Sequence, residues 1–282
     1  MARSPAVFDA RASADATIPP GAIRIAALNF DHPAFAPYRG LIDALDLARA
    51  LPLPHADCLD ALNAQAARLG TRHSNGLPLR FFVPGERLSA RDYENRILHS
   101  GQVPTRPDTW HDVLNALVWL RFPRFKSALN TAHGLAIPSE TGPARSRRRD
   151  ALTVLDESGV WVISRDPALP ALLAAHAWHA LFRDARAEVE TGMHFVVVGH
   201  ALLEKALAPY PTMTGKCLTL LAGSLDPDAA EALSVMALAG TGSPRQLAAL
   251  PIQGIPGWDP ANTGAAYYAN QEIFRPARRI AT

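Results

Sequence analysis

Cysteine is almost missing from this 282-residue chain, which has only Cys58 and Cys217. Two lone thiols build no disulfide framework and offer no paired spacing for a structural zinc. Excess charge of one sign is missing as well: a formal net charge of +2 is too small to point to nucleic acid, although Arg145, Arg147, Arg148 and Arg149 form a local basic run. No apolar run reaches the length of a membrane span without a charge or a proline. Arg3, Asp9, Arg11 and Asp15 interrupt the stretch where a signal peptide needs an apolar core. A soluble cytoplasmic protein is the expectation. Gly-x-Ser-x-Gly is absent, so a serine hydrolase elbow is excluded, and Met213-Thr-Gly-Lys-Cys lacks the upstream glycine of a phosphate loop.

What is present is ordinary globular text, 48% apolar and 19% charged, enough to bury a core. Residues 1–20 read as a loose Ala/Ser/Pro leader, and 21–282 as a single domain whose Pro/Gly-punctuated tail wraps the surface from about 244. Apolar spacing predicts helices over 38–50, from Asp57 to a stop at Gly70, and over 93–99. Residues 101–107 read as a loop. Two further helices meet at Phe122-Pro123, because Pro ends one helix and suits the first turn of the next; Gly134 reads as the stop of the second. Strands are expected at 79–83, 150–156, 160–164 and 194–198, the middle two as a hairpin around Glu157-Ser-Gly159. A helix over 169–190 and another from His200 to Pro209 complete an α+β, mainly helical reading with a small β component.

The chemistry is sought in the helix that starts at Trp110. It is apolar almost all round, yet His111, Asp112 and Asn115 fill one wedge roughly 100° wide. Buried polar groups must be hydrogen-bonded or liganded, so the wedge is the first candidate site. Adjacent residues on a helix point about 100° apart, so His111 and Asp112 cannot pair with each other, and Glu204, Asp150 and Asp156 are the candidate partners. His200 and Glu204, four apart on a helix entered from a strand through Gly199, share a face as metal-binding pairs do. A divalent metal is the cofactor that pair would take. Asp150 and Asp156 fall on one side of the expected strand, while turn chemistry accounts for Asp156, Glu157 and Gly159. Lys126, Asn130 and His133 make a polar stripe that could bind an anion with Arg149, and a solvated helix face explains the same pattern.

These stretches together resemble one family. Trp110-His-Asp-x-x-Asn-Ala-Leu-Val-Trp-Leu-x-Phe-Pro, continuing through Lys126, Asn130 and His133, is similar to the hallmark text of the bacterial DUF3025 family. So are Arg149-Asp-Ala-Leu-Thr-x-x-Asp-Glu-x-Gly, Phe195-Val-x-x-Gly-His-Ala-Leu-x-Glu-Lys-Ala-Leu, Ser74-Asn-Gly-Leu-Pro-Leu-Arg-Phe, Pro256-Gly-Trp and Phe274-Arg-Pro. The resemblance spans roughly 28–279 and implies one family-wide domain and no known activity.

Two functional expectations follow. The first is a hydrolase, metal-assisted or acid–base, built from His111, Asp112, Asn115, Asp150, His200 and Glu204 on a small-molecule ligand, with Lys126, Asn130, His133 and Arg149 holding the substrate. The second is a non-enzymatic protein that holds nucleic acid or a protein partner through the basic 145–149 loop and the aromatic tail.

Overall fold

The computed structural model describes residues 28–48, 56–106, 109–139 and 145–277. Its helices in chain order are α1 (Arg39–Ala44), α2 (Ala56–Leu69), α3 (Ala90–Ser100), α4 (Trp110–Arg121), α5 (Pro123–Ala136), α6 (Arg147–Ser158), α7 (Ala168–Ala174), α8 (Arg186–Gly192), α9 (His200–Ala206), α10 (Pro227–Leu238) and α11 (Ala265–Tyr268). Its strands are β1 (Arg80–Phe82), β2 (Gln102–Pro104), β3 (Gly159–Ser164), β4 (Met193–Val197), β5 (Thr214–Leu221) and β6 (Ala249–Pro251). The fold is α+β and mainly helical. Among the described residues, no helix is long and apolar enough to cross a membrane. The expected leader falls outside the described residues.

Strand β3 is buried at all six positions. It lies between β4, antiparallel to it, and β5, parallel to it, with β6 antiparallel on the far edge of β5. A strand with neighbours on both sides and packing on both faces loses the apolar/polar alternation of a surface strand. Trp161 at its centre meets Phe122 and Phe125 at ring-centroid distances of 4.7 and 5.1 Å. The break between α4 and α5 at Phe122-Pro123 therefore faces the sheet. A second, two-stranded parallel sheet pairs β1 with β2, so the segment read as a loop over 101–107 contains a strand.

The expected hairpin at about 150–164 is not formed. Residues 147–158 are helix, started by Ser146, whose hydroxyl accepts the Arg149 N–H, and anchored by buried Ala151, Leu152 and Leu155 at helical spacing. Thr153 and Val154 made this text look β-rich, but the cap and the three-residue apolar spacing outweigh that preference. The strand that follows pairs with β4 and β5 instead. Gly134 likewise does not end α5, which continues to Ala136; Gly134 stands where a Cβ would come 2.4 Å from Leu98 Cδ2, so it admits α3 against α5. The helix expected over 169–190 is interrupted, with His176 at φ +53° and a π-turn at Ala180–Asp184 between α7 and α8. That expected over 38–50 is shorter, a 3₁₀ turn at Pro33–Tyr38 leading into α1. The tail is part of the core as well as of the surface: Leu250, Ile252, Ile255, Tyr268 and Phe274 are buried in the main apolar cluster.

Candidate metal centre

Helix α4 starts where it does because Thr109 is extended and its hydroxyl accepts the Asp112 N–H at 3.4 Å. That start sets His111 in the first turn, looking across to α9. Helix α9 begins at His200, directly after β4 and Gly199. A Cβ on Gly199 would come 2.4–2.6 Å from Gly159 N, Ser158 N and Glu157 O. Only glycine lets the start of α9 close on the end of α6, and that approach brings His200 beside Glu157.

The result is a cluster drawn from three helices. His111 Nε2 and His200 Nε2 are 3.0 Å apart. Glu157 Oε2 lies 3.5 Å from His200 Nε2 and 4.0 Å from His111 Nε2. His111 Nδ1 donates to Glu204 Oε2 at 3.0 Å, which fixes the tautomer and aims the Nε2 lone pair at the other two groups. His200 Nδ1 turns toward Asp156, 3.9 Å from Oδ2. The Glu204 hydrogen bond, helped by Glu157 and Asp112, raises the His111 pKa against the opposing effect of burial. Burial pushes His200 down to about 3 despite nearby Asp156, so its imidazole is neutral.

His111, Glu157 and His200 open onto a cleft of about 820 Å³. Asp112 is gripped on the cleft wall by Arg106, whose backbone N–H and Nε donate to Oδ2 at 2.7 and 2.9 Å and whose Nη2 donates to Oδ1 at 2.9 Å. Burial alone would raise its pKa, and these bonds hold it below the usual carboxylate range. Behind the wall, Lys126 donates to Asn115 Oδ1 at 2.8 Å and to Asp156 Oδ1, and Asn115 Nδ2 donates to the Tyr93 hydroxyl at 2.8 Å. Asp156 stays below its ordinary value: burial opposes ionisation, and the Lys126 ammonium, through its charge and its hydrogen bond, overcomes it. Further along, Asn130 Nδ2 donates to the Glu94 carboxylate at 2.7 Å, and Arg149 Nε donates to His133 Nδ1 at 3.4 Å. Burial, with Asp156 nearby, raises Glu94 to about 7. Burial, with Arg149 and Lys126 nearby, lowers His133 to about 4.

The structure thus joins His111, His200 and Glu204, but not as the expected pair. Glu204 shares a helix face with His200 and bonds the far nitrogen of His111, and the carboxylate that faces both Nε2 atoms is Glu157. Asp112, Asn115, His133 and Arg149 line the same cleft. Lys126 and Asn130, buried to 3% and 1% exposure, stand behind it and are not the solvated stripe their spacing suggested. Asp150 is exposed in the first turn of α6 and is not among the residues that line the cleft. Glu157, Tyr93 and Glu94 were missed. Glu157 looked like a turn residue only because α6 was read as a strand; as a helix after Ser146, its Arg149, Thr153 and Glu157 fall four apart on one face. Tyr93 and Glu94 carry no signal of their own, since only α3 packing on α5 brings them in. Of the basic run, Arg149 is buried and Arg148 reaches the carbonyls of Ala239 and Thr241, while the tail aromatics Tyr268 and Phe274 are in the core.

The model of one protein family, described as a protein of unknown function (DUF3025), matches residues 79–278. That span holds every residue of the cleft, and the chain belongs to this family. No curated protein and no solved structure matches the chain.

Proposed function

We propose that this member of the DUF3025 family is a metal-dependent hydrolase centred on His111, His200 and Glu157. One observation carries the reading: three donor atoms from three helices converge at 3.0, 3.5 and 4.0 Å from one another. Ligands about 2.0–2.1 Å from a tetrahedral zinc stand roughly 3.3 Å apart, so this triangle has the size a divalent ion needs. The surroundings support it. Two imidazole Nε2 atoms and a carboxylate oxygen facing one point are mutually repulsive unless a proton or a cation lies between them. Glu204 behind His111 makes the carboxylate–histidine arrangement that orients metal ligands. Three protein ligands would leave room for water or substrate, as catalytic rather than structural sites do, and His111, Glu157 and His200 all line the cleft.

A metal held there would supply Lewis acidity and a nucleophile at neutral pH. Water adds across an ester, amide or phosphoester bond. Its oxygen bonds to the acyl carbon or phosphorus, the leaving oxygen or nitrogen takes the electron pair of the broken bond, and the proton given up by water ends on that leaving atom. Glu94, in the same cleft with a proton affinity near neutrality, is the chain's own group suited to hold that proton in transit. The alternative of a nucleic-acid or protein-binding surface through the basic 145–149 loop and the aromatic tail keeps Arg145 and Arg147 exposed but loses Arg149, Tyr268 and Phe274, whose burial favours the enzyme.

The test is a panel of chromogenic carboxylic esters, anilides and phosphodiesters, assayed with the metal-reconstituted and the chelator-stripped protein. Hydrolysis should depend on metal and vanish in His200→Ala and Glu157→Gln. A two-histidine, one-carboxylate set also suits ferrous iron. Metal-dependent oxygen uptake in place of hydrolysis, or hydrolysis unaffected by either substitution, contradicts the proposal.

A further inference from the structure

The direction of the hydrogen bonds behind the centre singles out one more group. The Lys126 ammonium has three donors and no acceptor. It donates to Asn115 Oδ1 at 2.8 Å and to Asp156 Oδ1, with its Nζ 5.4 Å from the centroid of the Trp119 ring. The oxygen of the Asn115 amide is thereby fixed toward Lys126, and its NH₂ must face the other way. It donates to the Tyr93 hydroxyl oxygen at 2.8 Å. The phenol oxygen is an acceptor in that bond, so its single proton has to point elsewhere. Among the described residues no group accepts it, and Tyr93 lines the cleft. Burial, with the charges of Asp156 and Glu94, holds the phenol well above its ordinary pKa, so it remains a donor.

Asn115 stands one helical turn after His111, which places Tyr93 on the same wall as the proposed metal ligands. We propose that Tyr93 is a catalytic residue whose O–H donates to the substrate oxygen that gains negative charge during hydrolysis, a carbonyl or phosphoryl oxygen. Lys126 and Asn115 are its positioning residues: they set the direction of the bond without touching substrate. A donor aimed in advance at a developing oxyanion costs no reorganisation when the charge forms, and removing one such donor elsewhere lowers kcat by about 10²–10³-fold. The inference rests on the reading of His111, His200 and Glu157 as a metal centre.

Cobalt(II)-loaded protein titrated with inorganic phosphate, followed by its visible spectrum, separates the two. Binding of cobalt by the wild type reports on the centre. Phosphate affinity reports on Tyr93. Tyr93→Phe should keep the cobalt spectrum and cobalt affinity and bind phosphate about tenfold more weakly or worse. Asn115→Asp should do the same with the phenol intact, because a carboxylate there accepts the Tyr93 proton and turns it away from the cleft; the loss should persist in 0.5 M salt, where simple charge repulsion is screened. Equal phosphate affinity in wild type and Tyr93→Phe overturns the proposal for Tyr93 and leaves the centre standing. Failure of the wild type to bind cobalt overturns both.

Discussion

Helices α4 and α5 border two interiors that solve the same problem in opposite ways. Toward the sheet, Phe122 and Phe125 close on Trp161, and the indole N–H of Trp161 is buried without a hydrogen bond. Toward the cleft, Lys126, Asn115 and Asn130 are about as deeply buried, and each has its partners. An unsatisfied neutral N–H costs about 1–3 kcal/mol, which a well-packed indole can offset with its apolar surface. An unpaired buried ammonium cannot be offset that way. The difference teaches where to look for a ligand. In an interior that pairs these groups so fully, the exceptions are informative: His200 Nδ1, buried without a hydrogen bond, the Nε2 atoms of His111 and His200, which meet each other and Glu157, and the hydroxyl proton of Tyr93.

The contrast can be broken from either side. The largest effect is expected in the apolar half. Trp161→Ala should destabilise the fold by about 3–5 kcal/mol in urea denaturation, because the cavity opens under both aromatic contacts. Metal affinity of the folded protein should be unchanged; a parallel loss would mean that the two interiors are not separate.

On the polar side, Glu204→Gln should weaken metal binding about 10–100-fold, the usual consequence of removing the carboxylate behind a ligating histidine, with little change in stability. Calorimetric titration of the metal checks it. An unchanged affinity would make the Glu204–His111 bond an ordinary surface contact.

The smallest effect concerns Glu94. Between its ordinary value of 4.5 and about 7, the folded chain holds a proton there that the unfolded chain has released. Stability from this group therefore falls as pH rises through that window, and the penalty is complete above it. Glu94→Gln should raise stability by about 1–2 kcal/mol at pH 8, less than the full shift implies because the new amide must itself be buried, and should have almost no effect at pH 4. Equal effects at both pH values would show that the carboxyl titrates normally.

The apolar half was the more legible of the two in the sequence. Pro123 after Phe122 marked the helix junction, and the run from Phe195 into Gly199-His200 marked a buried strand feeding a helix. Those signals are local, and local propensity reads them. The cleft is built from contacts between distant segments, and there the same rules misled. Lys126, Asn130 and His133 at helical spacing look like a solvated stripe unless α3 and α6 are known to cover them. Thr153 and Val154 suggested a strand, and that one misreading put Glu157 into a turn, away from His200. Gly199 was read only as the entrance to a helix, whereas its missing Cβ is what allows His200 and Glu157 to meet.

The central claim is that His111, His200 and Glu157 hold one divalent ion. Its most direct test is cobalt(II) titrated into the chelator-stripped wild type and into His111→Ala, His200→Ala and Glu157→Gln, with circular dichroism to confirm that each is folded. The account predicts one ion per wild-type chain, with a visible spectrum typical of nitrogen and oxygen ligands, and loss of that site in all three folded variants. No binding by the wild type, or binding that survives both histidine substitutions, would contradict it.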